Sequence, residues 1–202
     1  MDVGHPLRDI VPGPRGLVLA TLVQLEKPVT VRALARHSGV SAQTALNLVD
    51  ELSLVGLVHA ERAGGVILVA LNRGHIFVEP LVALVRTRGR LIEQMSEELA
   101  TWPGLAAAWL FGSAARGDGD RSSDIDLLVV AEADTGDPTW GSNVAALADH
   151  VHEWTGNPVQ IIEHTWRSFE QLARDGNVLV SAIRDDGVPL TSGSRRRLRD
   201  VA

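Results

Sequence analysis

Hydrophobic residues in the first third of the chain recur at the three- and four-residue spacing of amphipathic helices. This spacing predicts three helices, within PRGLVLATLVQLEKP, VTVRALARHSG and SAQTALNLVDELSLVG. Gly39 suits the end of the second helix, and Ser41 suits the N-cap of the third. Two alternating or apolar runs then meet at Gly64-Gly65, which predicts a β-hairpin. We expect this first domain to cover residues 1–74.

A longer helical pattern follows in HIFVEPLVALVRTRGRLIEQMSEELA, with apolar residues on one side and charged residues on the other. Pro80 suits the first turn of a helix. We therefore predict one connecting helix within residues 75–103.

Beyond residue 104 the pattern changes to strands that alternate with helices. The predicted strands are LAAAWLF, IDLLVV, NPVQIIEH and VPLT, and the predicted helices are residues 140–155, TWRSFEQLAR and NVLVSAIRDDG. This alternation predicts an α/β domain with a mixed sheet over residues 104–192, followed by a frayed basic tail over residues 193–202. The fold class of the whole chain is therefore α+β.

Composition and charge narrow the classes of function. Residues 1–75 carry seven basic and six acidic side chains, whereas residues 76–202 carry twelve and nineteen, so any nucleic-acid contact needs a local basic patch. The chain has no cysteine, which excludes disulfides and leaves oxygen or imidazole ligands for a metal. It shows no signal peptide and no apolar run of about 20 residues, so we expect a soluble, cytoplasmic protein without membrane contact.

The stretch GSAARGDGDRSSDIDLLVV places two aspartates, Asp124 and Asp126, at the start of a predicted strand. Side chains two residues apart point to one face of a strand, so these carboxylates repel each other unless a cation lies between them. A ligand set of oxygens favours Mg²⁺ or Mn²⁺, and Mg²⁺ is commonly held by carboxylates together with substrate phosphates. We therefore predict a divalent metal site on this pair.

Upstream of the aspartates, Gly112 and Ser113 end one predicted strand and begin a short helix. Glycine lets a phosphate approach the backbone, and amide groups at a helix start favour an anion. The intervening loop GDGDRSS is long enough to fold back and bring this turn beside the metal site. Arg116 and Ser123 are further candidate nucleotide contacts.

Residues 14–73 resemble a winged helix-turn-helix domain of the kind found in bacterial transcription regulators. In that fold the third helix enters the DNA major groove, where polar side chains contact base edges. The resemblance implies a DNA-binding set, with base contacts from Ser41, Gln43, Thr44 and Asn47 and phosphate contacts from Arg32, Arg36 and the wing residue Arg62. The alternative is a solvated face, or a module that docks a protein or a second copy. A homodimer would double this thin cationic patch.

Gly112-Ser113, ten further residues and then Asp124-Ile125-Asp126 resemble the signature of the DNA polymerase beta superfamily, in its minimal nucleotidyltransferase branch. The resemblance covers about residues 104–190. It implies a bound nucleoside triphosphate, catalytic and metal-binding roles for both aspartates, and transfer of a nucleotidyl group to an acceptor. Small nucleotidyltransferases of this type often belong to toxin-antitoxin pairs, which leaves open a toxin partner.

Active members of this superfamily usually carry a third carboxylate on a later strand, and here that position falls on Gln160. An amide binds Mg²⁺ weakly and cannot act as a general base. Glu163 is the nearest acid, but an undistorted strand turns it to the other face, whereas His164 shares the parity of Gln160. Two hypotheses follow: an active nucleotidyltransferase, or a transcription regulator whose degenerate domain binds nucleotide or dimerises. Trp140 is the best candidate to stack on a base.

Overall fold

The computed structural model of the chain describes residues 1–133, 136 and 138–201, and these fall into two compact units. One unit is His5–Thr87, and the other joins Met1–Gly4 to the chain from Arg88 onward. The division therefore lies inside the predicted connecting segment, and the first four residues pack with the C-terminal unit. Among the described residues, none of the helices is both long and apolar enough to cross a membrane.

The His5–Thr87 unit packs five helices against a small antiparallel sheet. Its elements are α1 (Leu7–Ile10), α2 (Pro14–Gln24), β1 (Val29–Thr30), α3 (Val31–Ser38), α4 (Ala42–Leu54), β2 (Val58–Ala63), β3 (Val66–Leu71) and α5 (Val78–Val85). The sheet order is β1-β3-β2, with both neighbouring pairs antiparallel. The order helix, strand, helix, helix, strand, strand follows the predicted three helices and hairpin, with the two-residue β1 in addition.

Local signals in the sequence set the ends of these helices. The Thr30 side chain accepts a hydrogen bond from the Ala33 amide at 3.2 Å, and the Ser41 hydroxyl accepts one from the Thr44 amide at 3.0 Å. Gly39 ends α3 with a φ of 68°, a left-handed conformation that glycine adopts without a Cβ penalty. The apolar faces then bury Leu34, Ala45 and other residues in one core.

The second unit is built on a four-stranded mixed sheet. Its strands are β4 (Leu105–Phe111), β5 (Ile125–Ala131), β6 (Val159–Thr165) and β7 (Val188–Pro189), in the order β6-β5-β4-β7. Its helices are α6 (Thr87–Leu99), α7 (Gly112–Arg116), α8 (Pro138–Thr155), α9 (Trp166–Arg174), α10 (Val178–Asp186) and α11 (Ser194–Asp200). The β4–β5 and β4–β7 pairs are antiparallel, whereas β5 and β6 run parallel.

Helices cover both faces of this sheet, which explains why β4 and β5 read as continuous apolar runs. One face, with Leu110 and Leu127 among its residues, packs in a core with Met95 of α6 and Leu147 of α8. The other face, with Trp109 and four further buried strand residues, packs on Phe169 of α9 and on α10. The Trp109 and Phe169 rings stack with centroids 5.5 Å apart, so Trp109 is a core residue, as its place in the strand indicates.

Two sequence-based expectations are wrong. The connecting segment is not one helix, because α5 ends at Val85 and α6 begins at Thr87 on either side of Arg86. The basic tail is not frayed, because it forms α11: the buried Ser194 hydroxyl donates to the Ala108 carbonyl at 3.0 Å, and the Arg197 guanidinium lies 5.0 Å from the centre of the Trp166 ring.

We expect Phe169→Ala to lower the free energy of unfolding by about 3–5 kcal/mol, because it leaves a cavity in a fully buried site beside Trp109. Urea denaturation followed by tryptophan fluorescence measures this change. Val178→Ala is the control, since Val178 is 81% exposed, and we expect it to change stability by less than about 0.5 kcal/mol. Equal stability of the two variants would contradict the packing described.

Candidate active site

The turn between β4 and α7 lies next to Asp126, the aspartate of the pair that is part of β5. Phe111, the last residue of β4, is the antiparallel partner of Asp126 on β5. The next residue, Gly112, has a φ of 69°, and a Cβ on it would overlap the Asp126 carboxylate. The positive φ favours glycine at position 112, and any larger residue would also have to displace the Asp126 carboxylate. The predicted phosphate turn and the predicted metal site are therefore adjacent.

The two aspartates differ in their surroundings. Asp124 is exposed and precedes β5, whereas Asp126 lies within β5 and is half-buried. Burial raises the pKa of Asp126, and the nearby negative charge of Asp124 raises it further, while the positive charge of Arg116 acts in the opposite direction. The pair is thus close enough for mutual repulsion, which a divalent cation between the carboxylates would relieve.

The loop between α7 and β5 folds back over the turn, as its length suggests. A Cβ on Gly119 would lie 2.9 Å from the Ser113 hydroxyl and 3.2 Å from the Ser123 hydroxyl, so these two hydroxyls flank one loop residue. The Asp120 carboxylate shapes the loop by accepting hydrogen bonds from the Ser122 amide and hydroxyl, at 2.8 and 2.7 Å. Both predicted serine contacts therefore lie beside the same loop residue.

Two predicted nucleotide contacts already have protein partners. The Arg116 guanidinium donates to Asp118 at 3.0 Å and lies 3.7 Å from an Asp186 carboxylate oxygen. The Ser123 hydroxyl accepts from the Asp120 amide at 2.8 Å. Arg116 is exposed and its charge is felt at Asp126, so a phosphate at this site would compete with exposed ion pairs of low energy.

The register of the parallel pair settles which residue lies opposite Asp126. Asp126 on β5 pairs with Gln160 on β6, so their side chains point to the same face. Glu163 pairs with Val129 on the other face, where its carboxylate accepts a hydrogen bond from the Trp140 indole at 2.7 Å. The third position thus carries an amide. No group of three or more histidine or acidic side chains within the described residues is placed to hold a metal ion.

The structure does not support a stacking role for Trp140. Its side chain is only 6% exposed, and its ring meets Trp102 edge to face with centroids 5.4 Å apart. The interpretation of Trp140 as a base-stacking residue is therefore wrong, since it forms part of the core. His164 pairs with Val130, four residues along β6 from Gln160, so it lies away from the aspartates. Burial lowers the pKa of His164.

Two residues that support the site were not identified from the sequence. Arg88 of α6 donates to the carbonyls of Ala114 and Ala115, which fixes α7 below the turn. Asn157, buried before β6, donates to the Ser123 carbonyl at 2.9 Å. Neither residue belongs to a recognisable motif, because its partner lies 26 or more positions away along the chain.

In the first unit, the predicted DNA-binding residues are exposed, apart from Thr44, which is half-buried. The Ser41 hydroxyl caps α4, and the Gln43 amide donates to Asn47 at 2.8 Å across one helical turn. Arg32 and Gln43 line a groove of about 320 Å³ between α3, α4 and the hairpin residues Gly65–Ile67. Arg36 lies in the last turn of α3, and Arg62 lies on β2 next to the hairpin turn.

Comparison with known proteins finds a family model that matches part of the second unit. No curated protein matches the chain. Three crystal structures are similar to part of it: a toxin-antitoxin with AMP-PNP (26% identity, 55% of this chain and 80% of that chain, TM-score 0.38), a mutant of the toxin-antitoxin MntA-HpeT (24%, 55% and 80%, 0.39) and the toxin-antitoxin MntA-HepT (24%, 56% and 80%, 0.34). Residues 91–184, which include Gly112, Ser113, Asp124 and Asp126, match the family model of the nucleotidyltransferase domain.

Proposed function

We propose that the second unit is a metal-dependent nucleotidyltransferase that moves a nucleoside monophosphate from a nucleoside triphosphate to an acceptor. The observation that carries this proposal is the contact between the Gly112 backbone and the Asp126 carboxylate. It joins a turn suited to phosphate with a pair of carboxylates suited to Mg²⁺ or Mn²⁺, so one substrate can engage both.

The residues of the site divide the work between binding and catalysis. Gly112 and Ser113 hold the triphosphate, with Arg116 as an exposed cation beside it. Asp124 and Asp126 are the metal ligands, and a bound divalent ion would supply charge stabilisation at the reacting phosphate. Their donor set of carboxylate oxygens fits Mg²⁺ without a sulfur or imidazole ligand.

In the transfer step, an acceptor oxygen forms a bond to the α-phosphorus, and the bond from that phosphorus to the bridging oxygen breaks. Pyrophosphate leaves, and the proton of the acceptor hydroxyl goes to a carboxylate of the pair or to water. Gln160 cannot take this proton, because an amide is not a base at neutral pH. Turnover slower than that of a three-carboxylate site follows from this difference.

The position of Gln160 opposite Asp126 also supports a second candidate function. In this alternative the domain binds a metal-nucleotide complex without transferring it, and the chain acts as a DNA-binding regulator. Incubation with Mg²⁺ and labelled triphosphates separates the two, since only the enzyme transfers label. A toxin partner and a homodimer stay predictions from the sequence.

For the first unit we propose a winged helix that binds double-stranded DNA. The element order and the hairpin that follows α4 support this fold, and the groove lined by Arg32 and Gln43 supports the binding face. The bond between Gln43 and Asn47 leaves a paired amide surface on α4, which can exchange its internal bond for contacts to base edges.

We expect Asp126→Asn to weaken magnesium-dependent nucleotide binding at least about tenfold, because it removes one of two charged metal ligands. Titration calorimetry with ATP and GTP, each with Mg²⁺ and with EDTA, measures this loss. Glu153→Gln, on the exposed face of α8, is the matched control and should bind as the wild type does. Equal binding by both variants would overturn the metal site.

We expect the same Asp126→Asn variant to be more stable than the wild type at neutral pH in metal-free buffer. The raised pKa of Asp126 means that its protonated form is favoured in the folded state. The stability of the folded wild type is therefore highest, with respect to this group, at low pH, and it falls as pH rises through the raised pKa of Asp126. The stability gain of the variant should therefore shrink towards zero as pH falls below about 4. Urea denaturation across pH measures the difference.

In that experiment, added Mg²⁺ with nucleotide should stabilise the wild type and leave Asp126→Asn unchanged, since only the wild type keeps both ligands. A gain in stability that is independent of pH would show that the carboxylate carries no such electrostatic cost.

We expect the double variant Gln43→Ala/Asn47→Ala to bind double-stranded DNA at least about tenfold more weakly, because base contacts of this kind contribute about 1–3 kcal/mol each. Gel retardation at two salt concentrations, with the DNA upstream of the chain's own gene, measures the loss and the ionic share of binding. Gln171→Ala is the matched control, since it removes the same kind of bond, from Gln171 to Asp175, on α9. A wild type that binds no DNA would favour a protein-docking module.

A further inference from the structure

Asn157 is a buried polar residue in the short connection between α8 and β6. The residue is only 1% exposed, and every one of its polar atoms has a hydrogen-bond partner. The side-chain amide donates to the Ser123 carbonyl at 2.9 Å and to the Met1 carbonyl at 3.1 Å, and its oxygen accepts from the Met1 nitrogen at 2.6 Å. A buried amide with this many bonds holds its neighbours in one arrangement.

The backbone of Asn157 is fixed as firmly as its side chain. Its amide donates to the Thr155 hydroxyl at 3.1 Å, and its carbonyl lies 2.8 Å from a ring nitrogen of His152. The following Pro158 restricts residue 157 to extended conformations. Asn157 is therefore a rigid point from which a bond to the neighbouring loop can act.

Two hydrogen bonds from this connection hold the chain in place on both sides of Asp124. Asn157 binds the carbonyl of Ser123, the residue before Asp124, and Pro158 accepts a hydrogen bond from the amide of Ile125, the residue after it, at 2.8 Å. The ladder between β5 and β6 begins only at Ile125 and Val159, so Asp124 itself has no strand pairing. Each of these two bonds holds one of the peptide groups that flank Asp124.

Asp126 is held differently, because it lies inside β5 between two neighbouring strands. A divalent ion held by Asp124 and Asp126 would require their carboxylates to be positioned to within about 0.5 Å, and metal ligands depend on the groups that orient them. Of the two aspartates, Asp124 is the one whose direction is set by a loop, and so by the residues that fasten that loop.

From this arrangement we infer that Asn157 is a positioning residue, which aligns Asp124 with Asp126 for metal-nucleotide binding. The inference rests on the proposed function, and it adds a residue that touches neither substrate nor metal. The side-chain amide suits the position because it donates to two carbonyls and accepts from a nitrogen with its oxygen.

The test uses Asn157→Asp, which keeps the size and the accepting oxygen but loses the donor to Ser123, and Asn157→Ser as a second variant should the first fail to fold. Ser194→Ala is the matched control. Ser194 is also fully buried in this unit, and its hydroxyl is bonded to the backbone of Ala108. It loses buried hydrogen bonds of the same kind without contact to the loop of Asp124.

The first readout is hydrogen exchange in metal-free protein, which does not depend on any activity. We expect the amide of Ile125 to exchange at least about tenfold faster in the Asn157 variants, and the amides of β4 to stay protected. In Ser194→Ala we expect no change at Ile125. Unchanged exchange at Ile125 in both Asn157 variants would overturn the inference by itself.

The second readout is calorimetry with Mg²⁺ and ATP. We expect the Asn157 variants to lose about 10- to 100-fold in magnesium-dependent affinity, with binding in EDTA unchanged, and Ser194→Ala to bind as the wild type does. Wild-type affinity in the Asn157 variants would overturn the positioning role and leave the proposed function standing. A wild type without magnesium-dependent binding would instead overturn the proposed function, and the positioning role with it.

Discussion

The antiparallel pairing of β4 with β5 is the constraint on which the candidate site depends. Because Phe111 lies opposite Asp126, the residue that follows β4 must pass within contact distance of a carboxylate. The φ of 69° at this residue strongly favours glycine. The same pairing therefore places a backbone that can approach a phosphate next to an oxygen that can bind a cation, and neither element could be moved along its strand without separating them.

The site places the exposed Asp124 beside the half-buried Asp126, and burial of Asp126 together with the repulsion between the two charges costs folded-state stability in the absence of a cation. The surrounding unit offsets this cost with a sheet that is covered on both faces and with hydrogen bonds that fasten the edges of the site. Arg88 holds α7 in place, and Asn157 and Pro158 bind the residues on either side of Asp124. A site held in a strained electrostatic state by a rigid scaffold is typical of places where a ligand completes the structure.

Gln160 and Glu163 explain why the choice between an enzyme and a binding protein turns on a single side chain. The parallel register gives the position opposite Asp126 to an amide, and the nearest acid faces away and supports the core through Trp140. Under the proposed function, the pair of carboxylates and the turn at Gly112 are the groups that bind the metal and the nucleotide. DNA binding by the unit that contains α4 and the hairpin is a separate proposal.

Much of this protein follows from local sequence pattern. The spacing of apolar residues indicated the three helices, the hairpin and the main strands, and Ser41 and Gly39 indicated helix ends. The two-residue spacing of Asp124 and Asp126 brought out the carboxylate pair, and the alternation along an undistorted strand NPVQIIEH predicted Glu163 on the face opposite to Gln160. These features depend on interactions within a few residues, which a single sequence displays. The break at Arg86, the docking of α11, the burial of Trp140 and the bond from Asn157 to Ser123 were decided only by tertiary structure. Each depends on a partner distant along the chain or on the packing of a whole layer, and the local pattern of polar and apolar residues carries no record of that partner.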